Sequence, residues 1–257
     1  MSQFNKIKSR FLHEGQVLSL TLNAPPGNVL DKEMMTELTR AIREHGPGSS
    51  VKALVFAGEG THFSFGASVV EHQKEFVAEM LVTFTQLLKT LIETSKPMFA
   101  VVRGQCLGGG LELASLCHWI FASGDAAFGQ PEIKLGVLPP FASLILPYRI
   151  GQSAADDLVL SGRSILAQEA KELGLVHSVS GEPEKDLEAF IAKHILPRSA
   201  IALRLTAKAS RFEMNRAFLK HIETLEKLYV EELMETEDAN EGILSFLEKR
   251  KPVWKDR

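Results

Sequence analysis

Two glutamates and a run of glycines near the middle of the chain are the residues best suited to do chemistry. Gly108-Gly109-Gly110 follows an apolar strand-like stretch and opens residues 111–120, which read as an apolar helix. A helix start leaves N–H groups unpaired and carries partial positive charge. Glycine lets another group approach that backbone closely. An oxygen gaining negative charge on a polarised carbonyl would be stabilised there, with Gly109 as the candidate donor; one such donor is worth about 3 kcal/mol in a transition state. Glu112 falls in the first turn of this helix, and Glu132 lies in Phe128-Gly-Gln-Pro-Glu-Ile133. Taken singly, Glu112 is a favourable charge at a helix start and Glu132 a solvated loop acid. Beside oxyanion donors they form a candidate acid/base pair for moving protons and water at carbon.

A second donor is expected upstream, at the backbone of Ala67 in Thr61-His-Phe-Ser-Phe-Gly66-Ala67. Ser68-Val-Val-Glu71 has capping-box spacing, which makes Ser68 an N-cap and not a nucleophile. A serine-hydrolase elbow would need Gly at position 70, where Val70 stands. The glycine run is not a phosphate cradle either. No Gly-Lys-Ser/Thr follows it, and dinucleotide spacing would require Gly at 113, which is Leu113. The eight histidines are scattered without a metalloprotease pattern; His62 and His72 flank the Ala67 loop, with packing or surface roles expected. Cys106 and Cys117 give no disulfide framework and no four-ligand metal set, and read as small buried residues.

The elements that must position these groups alternate. Residues 17–22 have the alternation of a half-buried strand, and Asn23-Ala-Pro-Pro-Gly-Asn28 is a turn. Residues 31–43 read as a helix, capped near Asp31 and stopped at Gly46-Pro47-Gly48. Strand 51–57, helix 76–92, a break at Ser95-Lys-Pro97 and strand 98–102 follow, a recurrence that argues for an α/β fold. A short helix 167–174 leads to a strand 175–179. From Leu187 onward the pattern is helical; Leu219, Ile222, Leu225, Leu228 and Leu233 fit an apolar face, and residues 241–251 a charged amphipathic helix. This divides the chain into an α/β core, 1–195, and a helical segment, 196–257, which packs either on its own core or on a neighbouring subunit.

Composition narrows the function classes. The net charge of the 257 residues is −3, so no general affinity for nucleic acid or anionic membrane is expected. Apolar runs are too short or too interrupted to span a bilayer. The N-terminal MSQFNKIKSRF lacks the apolar centre of a secretion signal. A reducing cytoplasm is the expected location.

Five segments together resemble the enoyl-CoA hydratase/isomerase (crotonase) family. They are Phe63-Ser-Phe-Gly-Ala67, Gly104-Gln-Cys-Leu-Gly-Gly-Gly-Leu-Glu-Leu113, Phe128-Gly-Gln-Pro-Glu-Ile133, residues 161–176 and residues 241–251. The resemblance implies a crotonase-like spiral of ββα units followed by a helical trimerisation region, assembled as a homotrimer or a dimer of trimers. It implies that Ala67 and Gly109 supply the oxyanion hole for a thioester. Glu112 and Glu132 match the two acids of the hydratases, with Glu132 the proton donor to carbon and Glu112 the group that activates water. Phe246 and Lys249 match tail residues that help hold coenzyme A, often across a subunit interface. No metal and no cofactor beyond the coenzyme A of the substrate is implied. Two segments depart from the common pattern: Gly66-Ala67-Ser68 replaces Gly-Ala-Asp, and Leu138-Pro-Pro-Phe141 replaces a glycine-rich stretch. Bulk at the second would reshape the acyl pocket. This combination is similar to that of cyclic dienoyl-CoA hydratases of anaerobic aromatic degradation. A conventional short-chain hydratase is the alternative, followed by an RNA-binding member of the family.

Overall fold

The computed structural model describes residues 4–46, 48 and 50–257. The first three residues of the N-terminal stretch, and Pro47 of the expected helix stop, lie outside them. A six-stranded sheet forms the centre, in the order β1 (Ile7–Leu12), β2 (Val17–Leu22), β3 (Ala53–Gly58), β4 (Met98–Val102), β6 (Trp119–Ser123) and β9 (Ser178–Ser180). Only β1 runs antiparallel to its neighbour. A smaller sheet has the order β5 (Gln105–Leu107), β7 (Ala127–Gly129), β8 (Ser164–Leu166).

The central strands are apolar throughout because both faces of the larger sheet are covered. Leu54 and Phe56 of β3, with Ala100 and Val102 of β4, enter the principal core; Ala53 and Val55, with Phe99 and Val101, face a second cluster closed by Leu187, Ile191 and Ile195. Helix α1 (Lys32–His45) begins as expected: the Asp31 carboxylate accepts from Met34 N at 2.9 Å. Helix α2 (Val77–Thr94) ends at Ser95 in the left-handed conformation.

Three local expectations need correction. Helix α3 (Gly109–Leu116) stops four residues before the expected end. Cys117 is extended, its carbonyl accepts from Arg149 Nη1 at 3.0 Å and Arg211 Nη2 at 2.9 Å, and Trp119 and Ile120 pair with β4 instead. Ser68 makes no capping bond. The Glu71 carboxylate turns away and accepts from Lys32 N, at the start of α1, at 3.1 Å. The tail helix, α10 (Glu237–Leu247), is displaced toward the N-terminus; Thr236 caps it by accepting from Ala239 N at 3.2 Å.

The remaining helices are α4 (Pro140–Ile150), α5 (Gln152–Ser161), α6 (Ala167–Glu172), α7 (Pro183–His194), α8 (Ala200–Ser210) and α9 (Phe212–Lys227). The C-terminal helices share the principal core, through Met214, Phe218, Ile222, Met234 and Ile243. Of the apolar face expected in α9 and beyond, Ile222 is buried, whereas Leu219 and Leu228 are exposed. The intervening turn, Leu228–Glu232, is π-helical.

Candidate active site

Strand pairing brings the two acids together. β5 and β7 are parallel neighbours, with Leu107 opposite Gly129, and Gly108 N continues the ladder by donating to Gly129 O at 2.9 Å. Parallel strands leave a sheet at the same edge, so the segments that follow them emerge side by side. After β5 comes α3, with Glu112 in its first turn; after β7 comes the 3-10 turn Pro131–Leu135, with Glu132.

Gly108 makes this approach possible. Its φ of +49° is one that side chains resist, and a Cβ there would lie 2.7 Å from Glu132 Oε1. Gly109 does the same for the other wall: a Cβ there would lie 3.1 Å from Ala67 N. The Ala67 loop is tied down on two sides. Ser64 N donates to Gln105 O and Leu107 N to Ser64 O, both at 3.0 Å. On the other side, Leu30 N donates to Gly66 O at 2.9 Å and Ser64 Oγ to Asn28 O at 2.8 Å. Among the described residues, the Ala67 and Gly109 N–H groups have no protein acceptor. They are neighbouring donors left open.

Both carboxyls are nearly removed from water, Glu112 at 4% and Glu132 at 8% relative exposure. Burial pushes the Glu112 carboxyl up to about 7, against the pull of backbone N–H groups at Ala142 and Phe141. Ala142 N donates to Glu112 Oε1 at 2.8 Å. This bond follows from the prolines: Pro139 and Pro140 have no N–H, so the first free donors of α4 belong to the residues facing Glu112. Glu132 is pushed well above the usual carboxylate range, first by burial and then by the neighbouring Glu112. Gln130 packs beside it: with the side-chain amide turned so that its nitrogen faces Glu132, it would donate to both carboxyl oxygens at 3.0 Å.

These groups line one cavity of about 470 Å³. Leu138, Pro139, Pro140 and Phe141, the departures seen in the sequence, form part of its wall. The Phe141 ring meets Phe84 edge-on at 4.7 Å. Phe246 reaches the rim and is 55% exposed. Lys249 does not line the cavity; it has φ +56° just past α10, and Arg250 and Lys134 line the cavity instead. Of the two flanking histidines, His72 is in the wall, with Nδ1 2.7 Å from Ser68 O, while His62 accepts from Gln105 N at 3.1 Å outside the cavity. Sequence reasoning missed two residues of consequence. Gln130, behind Glu132 and fully buried, was in plain view inside the Gly-Gln-Pro-Glu motif. Tyr229, in the cavity wall, stood next to Leu228 of the expected apolar face and carried no signal of its own. No cluster of three or more His, Cys, Asp or Glu suited to a metal ion is present among the described residues.

The arrangement can polarise a carbonyl and exchange protons beside it. Comparison with known proteins names the lineage of that chemistry. The sequence profile of the enoyl-CoA hydratase/isomerase family matches residues 13–257. The chain belongs to that family. It is 41% identical over 244 residues to cyclohexa-1,5-dienecarbonyl-CoA hydratase of Thauera aromatica, covering 95% of each chain. It is 35% identical to 2,3-dehydroadipyl-CoA hydratase of Escherichia coli K12, covering 94% of this chain and 96% of that one. The crystal structure of an enoyl-CoA hydratase from Mycobacterium avium subsp. paratuberculosis K-10 superposes with a TM-score of 0.85 at 25% identity, over 99% of this chain and 100% of that one. The fold is the crotonase fold, and the protein is an acyl-CoA hydro-lyase. Among the described residues, no helix is long and apolar enough to cross a membrane.

Proposed function

We propose that this hydratase adds water to cyclohexa-1,5-diene-1-carbonyl-CoA and releases 6-hydroxycyclohex-1-ene-1-carbonyl-CoA, a step of anaerobic aromatic degradation. The reading rests on one observation: two buried carboxyls with raised affinity for protons lie beside two open N–H groups in a single cavity. In this reading the thioester oxygen accepts from Ala67 and Gly109. Glu112 takes a proton from water as the oxygen bonds to the ring carbon β to the carbonyl. Electrons move through the former double bond onto the carbonyl oxygen, where the two donors stabilise them. The dienolate then collapses, and its distal alkene carbon takes the proton of Glu132. The double bond remaining in the ring shifts into conjugation with the carbonyl. Each turnover leaves Glu112 protonated and Glu132 charged, and a proton transfer through solvent resets the pair.

The Ala142 N–H at the start of α4 donates to Glu112 and favours its charged form, which supports Glu112 as the base and leaves the proton of the pair to Glu132 as the acid. The cyclic substrate is supported by the relative from Thauera and by the wall from Leu138 to Phe141. Water addition is redox-neutral, so the reading invokes no cofactor beyond the substrate's own coenzyme A. Exposed Ile201 and Leu205 on α8 and Phe212 and Leu219 on α9 support assembly with further copies, which we read as a homotrimer or a dimer of trimers; the cytoplasm is the location proposed with it. Phe246 and Lys249 are assigned to coenzyme A.

The test compares kcat/KM on the cyclic dienoyl-CoA and on crotonyl-CoA, with products identified by mass spectrometry and NMR. A preference for the ring of at least about tenfold is expected, within the range that pocket shape supplies. Equal or better turnover of crotonyl-CoA would return the protein to the conventional short-chain hydratases.

A further inference from the structure

Tyr229 stands in the wall of the cavity at 1% relative exposure, and its hydroxyl has no hydrogen-bond partner. A buried phenol oxygen ordinarily finds one. The charged or titratable groups facing it are Glu132, Glu112 and His72, whose ring centroid is 6.4 Å from that of Tyr229. Burial lowers the proton affinity of the His72 ring. The two acids sit on different elements, α3 and the Pro131–Leu135 turn, and Tyr229 lines the same cavity from a third.

The backbone that carries Tyr229 is unusual in the same place. The buried positions along the C-terminal helices run Met214, Phe218, Ile222 and Tyr229, and the next is Met234. That last step of five residues crosses the π-helical turn Leu228–Glu232, and π turns are frequent at functional sites. A regular helix would put the buried position after Tyr229 at 232 or 233. The widened turn instead leaves Tyr229 buried in the cavity wall while the chain continues into α10.

We propose that Tyr229 is a positioning residue of the acid pair, its hydroxyl donating a hydrogen bond to whichever of Glu112 and Glu132 carries the negative charge during turnover. The phenol itself stays protonated throughout. The proton relay moves the charge from Glu112 to Glu132, and a hydroxyl that rotates about its own C–O bond can follow that charge where a fixed backbone donor cannot. The inference rests on the reading that these two acids carry the hydration.

Tyr229→Phe removes only the hydroxyl. On whichever thioester the wild type turns over best, kcat should fall about 10- to 100-fold, the loss of one hydrogen bond to a charged group. KM should stay within about threefold, because the interaction forms during turnover. The acidic limb of the kcat profile should move to higher pH, since a donor that favours the charged carboxylate is gone. Melting temperature should hold or rise, because an unpartnered buried hydroxyl is removed. A kcat within twofold of wild type, or a lowered melting temperature with an unmoved acidic limb, would overturn the proposal.

A second readout does not depend on activity. The chain has two tyrosines, and the other, Tyr148, is exposed. In a Tyr148→Phe background, 3-fluorotyrosine incorporation places one fluorine probe at position 229. Its resonance should titrate with the acid pair, and Glu132→Gln or Glu112→Gln should change that titration. A resonance that ignores pH in the folded range would also overturn the assignment. Failure of the wild type to hydrate any enoyl thioester would sink the functional reading, whereas an active wild type with an equally active Tyr229→Phe variant sinks this proposal alone.

Discussion

The two walls of the cavity are built on different principles. The wall carrying Glu112, Glu132, Ala67 and Gly109 comes from three loops and turns of the α/β part of the chain. Its geometry is imposed by hydrogen-bonded backbone: the β5–β7 ladder, the tied-down Ala67 loop and the first donors of α4. The opposite wall, with Tyr229, Phe246 and Arg250, comes from a distant helical segment and is held by side-chain packing and surface ion pairs. A backbone-built wall tolerates almost no displacement, because each donor is fixed by two or more bonds. A packing-built wall can change residue by residue while the machinery opposite stays intact. The chemistry therefore belongs to the first wall, and substrate choice is expected to reside mainly in the second and in the Leu138–Phe141 rim between them.

The largest effect that would test this division is at the acids. Glu112→Gln and Glu132→Gln should each lower hydration turnover by roughly 10²–10⁴-fold, the usual range for general acid–base groups. KM should change little. A variant with near-wild-type turnover would remove that residue from the chemistry. Gly108→Ala probes the same wall through its backbone. The new Cβ would lie 2.7 Å from Glu132 Oε1 at a φ of +49°, a conformation that costs about 1–3 kcal/mol for a residue with a side chain. Turnover should fall by at least about tenfold, as expected for a displaced general acid, and melting temperature should drop with it. Normal kinetics in this variant would mean that the close approach of Glu132 to the glycine loop is dispensable.

Much of the first wall was legible in the sequence, because its signals are local. Glycines at 108 and 109, an acid in the first turn of a helix and an acid after Gly-Gln-Pro each constrain their own backbone. The strand at Met98–Val102 and the Asp31 cap were legible for the same reason. What stayed hidden depends on contacts across the chain. The Ala142 N–H reaches Glu112 only once α4 has packed beside α3. The early end of α3 depends on Arg149 and Arg211, whose guanidinium groups cap its last turn. The π turn at Leu228–Glu232 moved the buried face from Leu228 to Tyr229, which a search for regular helical spacing cannot anticipate. At the tail, an amphipathic pattern that continues past Leu247 concealed the helix end; beyond that end Arg250 lines the cavity and Lys249, named from the family resemblance, does not.

The packing-built wall should respond more gently and in a different parameter. Phe246→Ala removes an exposed ring at the rim. KM for the coenzyme A thioester should rise several-fold, within about tenfold, with kcat nearly unchanged, as when uniform binding is lost. Lys249→Ala should do less, because its side chain does not line the cavity. A fall in kcat without a change in KM for Phe246→Ala would contradict the division between walls.

The smallest expected effect is on stability, and it has a definite sign. Burial raises the proton affinity of Glu132 and Glu112 in the folded protein above that of ordinary carboxylates. The native state therefore binds more protons than the unfolded chain once pH exceeds the ordinary carboxylate value near 4.5, and stability contributed by these groups falls as pH rises from there through the folded values. Glu132→Gln keeps the shape and cannot ionise. Its melting temperature should exceed that of the wild type by a few degrees near pH 8–9 and approach it near pH 5, where the wild-type acids hold their protons. If Glu132→Gln were equally or less stable across this whole range, the acid pair would not be carrying the desolvation strain that its burial implies, and the catalytic wall would owe its activity to something other than two carboxyls held away from water.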